Sequence, residues 1–105
     1  MIKANELKEK LDKGEAIRLV DVRSAEAFAK GDSIPGSENI PADNFLEEAA
    51  MGKISKDQKI VVFCQGGKSC SMVAEKLHGE GYNIEHIEGG LNAYNAENMM
   101  QSQAS

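Results

Sequence analysis

The chain has 105 residues, 41% of them hydrophobic and 28% charged, with a formal net charge of -5 at pH 7. That length suits one domain, and a chain of this size buries roughly two-thirds of its unfolded surface, so its core needs no staples. The acidic balance argues against a nucleic-acid or anionic-membrane partner, no apolar segment reads as a signal peptide or membrane span, and two cysteines make no disulfide framework. A soluble cytoplasmic protein with free thiols is therefore expected.

Asn5 is placed to cap a helix over Glu6–Lys13, with Leu7 and Leu11 on its apolar side and Gly14 at its end. The run Ala16–Val22 reads as a strand apolar enough to be buried on both faces of a parallel sheet. Ser24 caps a short helix over Ala25–Lys30, closed by Gly31. In Ser33–Pro41, Pro35-Gly36 signals a turn, and a brief strand follows it. A second short helix is expected over Phe45–Ala50, then a polar turn at Ser55–Gln58. Lys59–Phe63 is the clearest strand, β-branched and uncharged after its first residue. From about Gly67 the period changes: Cys70, Val73, Ala74 and Leu77 form a helical stripe that runs to about His78. Asn83–Ile87 alternates like a last strand, Gly89-Gly90 breaks it, and Leu91–Met100 forms a final helix. One domain over 1–100 is expected, with a frayed tail at 101–105 and with Met99-Met100 serving packing. Strands alternating with helices predict an α/β fold, a mostly parallel central sheet with helices on both faces. Ligands of such folds bind beyond the carboxyl ends of the strands, where Cys64 stands.

Cys64 opens the stretch Cys64-Gln65-Gly66-Gly67-Lys68-Ser69-Cys70. Gly67-Lys68-Ser69 imitates the end of a nucleotide-binding P-loop, but that pattern needs glycine where Val62 stands. A zinc site is disfavoured because five residues separate the cysteines, and His78 and His86 fall at a helix end and along a strand. A buried, inert thiol suits Cys70, which shares the apolar stripe, better than Cys64, which stands before two glycines. The favoured reading makes Cys64 a reactive thiolate. A strand–loop–helix unit turns loop N–H groups and a helix N-terminus toward one point, lowers a thiol pKa there and receives an anion. Lys68 adds positive charge to that loop.

These residues resemble the rhodanese family, the thiosulfate sulfurtransferases, over about Ile2 to Ala96. The loop from Cys64 is similar to the family's Cys-x-x-Gly-x loop, and Leu19-Val20-Asp21-Val22-Arg23 resembles its strand-end Asp-Val-Arg. Gly31 through Pro41 resembles its segment ending in Asn-Ile-Pro, and Gly89-Gly90-Leu91-Asn92-Ala93-Tyr94 its Gly-Gly-x-x-x-Trp ending. The resemblance implies a rhodanese-like three-layer fold and a ping-pong reaction. Cys64 takes sulfane sulfur from thiosulfate or a related persulfide donor, and carries it as a persulfide cradled by the N–H groups of Gln65 through Cys70. Cyanide, a thiol or a protein sulfur acceptor then removes it, and no metal or cofactor is called for. Asp21 and Arg23 are read as supports that tie loops together. Ser69 stands where thiosulfate-type loops often have arginine, and Lys68 offers a point charge in place of a rigid fork of donors. Related phosphatases and arsenate reductases carry arginine six positions after the cysteine, which here is Cys70, so phosphoryl chemistry is the lesser reading. Cys70 itself has two readings. The favoured one faces it inward as a packing residue; the alternative has it attack a Cys64 persulfide or sulfenic acid, making a redox-sensing or sulfur-carrier module.

Overall fold

The computed structural model describes residues 1–104, with side chains through Glu97. Strands β1 (Arg18–Asp21), β2 (Glu38–Asn39), β3 (Ile60–Phe63) and β4 (Ile84–His86) alternate with helices α1 (Ala4–Asp12), α2 (Ala25–Phe28), α3 (Ala42–Ala50), α4 (Lys68–His78) and α5 (Gly90–Ala104). The strands form one parallel sheet in the order β2-β1-β3-β4. Ile2 adds a single parallel bridge to Ile87 beyond β4.

Strand side chains alternate between faces, and β3 shows what that does to the core. Ile60 and Val62 join Val20, Ile84, α3 (Phe45, Ala49) and α4 (Val73, Ala74, Leu77) on one face. Val61 and Phe63 join Leu19, α1 (Ala4, Leu7) and α5 (Leu91, Tyr94) on the other. All four β3 side chains are buried, which explains the unbroken apolar run Ile60–Phe63. Each such side chain contributes about 1.5–3 kcal/mol by leaving water. The α/β class, the parallel sheet and the layers of helices on both faces agree with the expectation.

Two helix starts differ from the sequence reading. Asn5 does not cap α1: the cap is Lys3, whose N–H donates to Glu6 Oε1 at 3.2 Å, and Asn5 lies within the helix. The earlier start buries Ala4 beside Leu7, a gain that the cap preference of Asn5 does not match. Helix α3 begins at Ala42 rather than Phe45, because Pro41 leads into it and the Ala42 N–H is held by the Val22 carbonyl at 3.0 Å. The expectation for Met99-Met100 falls on side chains outside the described residues; α5 continues helical to Ala104, where a frayed tail is expected, and Ser105 lies outside the described residues.

The strand order places the site. The chain leaves β1 toward β2 on one side, and β3 and β4 extend the sheet on the other. The switch between the two directions falls between β1 and β3, whose carboxyl ends carry Asp21-Val22-Arg23 and Cys64.

Candidate active site

Cys64 follows β3 directly, and the period of two sends its side chain to the same face as Ile60 and Val62, toward α4. The thiol is 6% exposed. The expectation that a strand-end cysteine before two glycines escapes deep packing is therefore corrected. The loop folds over the sulfur, and Cys64 is part of the core cluster on the α3–α4 face.

The loop from Cys64 to Gly67 turns the chain from β3 into α4 within four residues. Gly67 makes that turn at φ +98°, and a side chain there would press on Gly89 N at 3.2 Å. Gly66 has no such requirement: its φ is not in the left-handed region, and a Cβ on it would meet open space. Gly67 is also the residue before the first helical turn of α4 and has no side chain with which to cap it. The Cys64 sulfur does that work. It accepts the Gly67 N–H at 3.1 Å and the Cys70 N–H at 3.4 Å, taking two of the N–H groups that a helix start leaves unpaired. Of the expected cradle, Gly67 and Cys70 donate backbone N–H groups to the sulfur, and the Ser69 N–H adds to the lowering of its pKa. Gln65 turns its side chain away to Arg23 and Asn92. Lys68 and Ser69 are exposed on the first turn of α4.

The Cys70 sulfur lies 3.3 Å from that of Cys64 and is fully buried. With backbone N–H groups already aimed at the Cys64 sulfur, Cys64 is the acceptor, and the Cys70 thiol donates to it. This bond is the largest cause that lowers the Cys64 pKa from its ordinary 9.0 to about 5; burial opposes it, and the N–H groups of Cys70, Gly67 and Ser69 reinforce it. The same bond and burial push the Cys70 thiol up. The pair thus holds one proton on Cys70 and one negative charge on Cys64. The inward packing read for Cys70 is present, since it joins Val73, Ala74 and Leu77 in the core. Its sulfur also faces the site, which the apolar stripe alone does not reveal.

Behind the loop, the N-terminus of α5 holds the carbonyls away from the sulfur. Leu91 N–H donates to Cys64 O at 2.7 Å and Asn92 N–H to Gln65 O at 3.1 Å. Gly90, at φ +62°, lies so close that a Cβ would fall 2.4 Å from Cys64 O and 2.7 Å from Gly67 N. The sequence reading treats Gly89-Gly90 as a strand break and, with Asn92, as part of a segment that carries the resemblance, without giving either a role at the site. Both are parts of the site, and that segment was the signal.

Asp21 and Arg23 support the site from β1. Asp21 is fully buried and Arg23 is 9% exposed. Arg23 Nε donates to Asp21 Oδ1 and Oδ2 at 3.1 and 3.0 Å, and its Nη2 to Oδ2 at 2.9 Å. The same Nη2 reaches Asp32 at 3.2 Å, and Nη1 reaches Gln65 Oε1 at 2.9 Å. Asp21, more than burial, decides the direction of the Arg23 pKa, which is raised. Ser33 donates to Asp21 Oδ2 at 2.8 Å, and Asn39 ties down the Asp21 and Arg23 carbonyls at 2.9 and 3.0 Å. Asp32, Ser33 and Asn39 lie in the Gly31–Pro41 segment that carries the resemblance, but the sequence reading gives them no role; their partners lie 9 to 18 positions away, beyond any local pattern. Arg23 thus steadies Gln65, the residue after Cys64, with its guanidinium committed to protein partners.

Cavities of about 580 and 540 Å³ lie at the amino ends of β1 and β3 (Arg18, Lys59) and between α4 and β4 (Ser71, Glu85, His86), and Cys64 lines neither. What Cys64 offers is a small dish of N–H groups, sized for a few atoms. His78 is exposed at the end of α4, and His86 is half-buried in β4 with its pKa lowered, first by burial.

Residues 3–97 match the family model described as rhodanese-like domain. Among curated proteins, "Putative sulfurtransferase YtwF" of Bacillus subtilis (strain 168) is 33% identical over 91 residues, which cover 87% of this chain and 85% of that protein. A "tRNA uridine(34) hydroxylase" of Erwinia tasmaniensis is 36% identical over 98 residues, 89% of this chain; the chain spans 27% of that longer protein. Among solved structures, a rhodanese-related protein from Thermoplasma volcanium superposes with a TM-score of 0.78 at 31% identity, over 91% of this chain and 90% of that one. The matched span takes in β1, the cysteine loop and the Gly89-Gly90 turn together, and the chain belongs to the rhodanese-like domain family.

Proposed function

We propose that this protein is a sulfurtransferase of the thiosulfate:cyanide type. It moves sulfane sulfur from a small anionic donor, thiosulfate or a related persulfide, to cyanide, a thiol or a protein acceptor. The observation that carries the reading is the Cys64 sulfur held as a thiolate by the Cys70 thiol and by the N–H groups of Cys70 and Gly67 at the start of α4. A thiolate is the nucleophile that attacks the outer sulfur of thiosulfate and expels sulfite. The cradle then stabilises negative charge on the added sulfur with fixed dipoles that need no reorganisation. Lys68 is the exposed loop cation that meets the donor, while Arg23 is occupied by Asp21, Asp32 and Gln65. The proposal includes a cytoplasmic setting, since the two free thiols suit a reducing compartment. The hydroxylase activity in the name of the longer relatives belongs to proteins of which this chain spans about a quarter.

The experiment follows the first turnover. Thiosulfate is mixed with the protein and sulfite is measured, then cyanide is added and thiocyanate is measured. Release of sulfite in proportion to protein, its loss in Cys64→Ala, and formation of thiocyanate are expected. Absence of release from the wild type with thiosulfate and with organic persulfides, or equal release from Cys64→Ala, refutes the proposal.

A further inference from the structure

We propose that Cys70 is an internal sulfur acceptor, so that the loaded site discharges its sulfur as hydrogen sulfide and closes a Cys64–Cys70 disulfide when no external acceptor arrives. The inference rests on the persulfide reading of Cys64 given above. Its own ground is the contact of the two sulfurs at 3.3 Å, both within the buried core cluster of the α3–α4 face. A packing cysteine in the stripe of Val73, Ala74 and Leu77 has no need to aim its sulfur at the nucleophile. The placement comes from two periods meeting: alternation along β3 turns Cys64 to the α4 face, and the first turn of α4 turns Cys70 back onto it.

The chemistry balances within the site. Attack of the Cys64 thiolate on a sulfane donor leaves Cys64–S–S⁻ and frees the donor's leaving group. The negative charge then sits on the outer sulfur. The Cys70 proton passes to that outer sulfur, and the Cys70 sulfur attacks the inner sulfur of Cys64. The S–S bond of the persulfide breaks, its electron pair leaves with HS⁻, and the Cys64–Cys70 bond forms. Two thiols are oxidised by two electrons, and the sulfane sulfur is reduced by two to sulfide. A small external dithiol then reduces the disulfide and restores the site. An acceptor in van der Waals contact has the advantage of an intramolecular reaction over one that must diffuse in. Loading also moves the negative charge off the sulfur that Cys70 faces, which weakens the hydrogen bond and the attraction that, together with burial, hold the Cys70 proton in place.

The test loads the wild-type protein with thiosulfate, with no cyanide or thiol present, and follows sulfite, sulfide and the intact mass. Expected is roughly one sulfide per chain after the sulfite, loss of two hydrogens from the mass, and a peptide pair joining Cys64 to Cys70. The rate constant of sulfide release should be unchanged on dilution, which separates an internal thiol from a second copy of the chain. Cys70→Ser should keep the added sulfur and release no sulfide, and Cys70→Ala serves the same comparison if serine disturbs folding. Sulfite release followed by a persistent persulfide in the wild type overturns this inference and leaves the proposed function standing. Equal sulfide release from the Cys70 variants also overturns it. Absence of sulfite in every variant overturns both.

Discussion

Gly90→Ala tests whether α5 shapes the cysteine loop. A Cβ at this position would lie 2.4 Å from Cys64 O, 2.7 Å from Gly67 N and 2.9 Å from Gln65 O. All three are backbone atoms, so no rotamer change relieves the contact, and the loop and the first turn of α5 must part. The positive φ of +62° adds a conformational penalty of about 1–2 kcal/mol for alanine. Separation also weakens the bonds from Leu91 N–H to Cys64 O and from Asn92 N–H to Gln65 O, each worth about 1 kcal/mol net. A total loss of about 3–5 kcal/mol is expected, among the larger effects of a single substitution. The control is Gly52→Ala, at φ +76° with nothing within 4 Å of a Cβ, where about 1–2 kcal/mol should be lost. Urea denaturation of both variants measures the difference. Alkylation of Cys64 by iodoacetamide at fixed pH then shows whether the cradle has loosened, with a smaller thiolate fraction expected in Gly90→Ala. Equal stability losses in the two variants would refute the claim that the close approach of α5 builds the loop.

Alkylation of wild-type Cys64 should titrate with a midpoint near pH 5, moving toward 9.0 in Cys70→Ala and moving less in Cys70→Ser, which keeps a donor; an unmoved midpoint in Cys70→Ala denies Cys70 its part in holding the thiolate. Because the folded pKa lies below the ordinary value of 9.0, the stability contributed by the thiolate is fully present above 9.0 and is lost as pH falls through about 5; urea midpoints across that window check the sign. Asp21→Ala leaves the buried Arg23 without its main partner and should cost about 3–5 kcal/mol; a loss under about 1 kcal/mol would mean the pair supports nothing. Lys68→Ala should raise the KM for thiosulfate about 2–5-fold at low salt, less as salt rises, with stability unchanged within about 0.5 kcal/mol. An unchanged KM removes Lys68 from donor binding.

The order of elements was legible because local patterns carry it. The apolar run Ile60–Phe63 marks a strand buried on both faces, and the period of Cys70, Val73, Ala74 and Leu77 marks α4. Helix starts were less legible. Asn5 is a good cap by type, yet burial of Ala4 draws the helix start back to Lys3, a preference set by the partner surface rather than by the segment. Likewise the glycines of the loop look alike in the sequence, while the structure requires only Gly67 at a positive φ.

By itself the sequence determined the alternation of strands and helices, the position of Cys64 at a strand end before a helix, and the Asp21–Arg23 pair two residues apart, because each is written in spacings of a few residues. Only the tertiary structure decided which groups meet. The parallel order β2-β1-β3-β4 brings Arg23 to Gln65 across 42 positions, and the turn into α5 brings Asn92 to Gln65 across 27. It also decided that Cys70, six positions from Cys64, aims its sulfur into the site at 3.3 Å while its neighbours on the stripe pack the core. Side-chain direction at the first turn of a helix depends on where the preceding strand delivers the chain, and that is a property of the packed sheet and helix together.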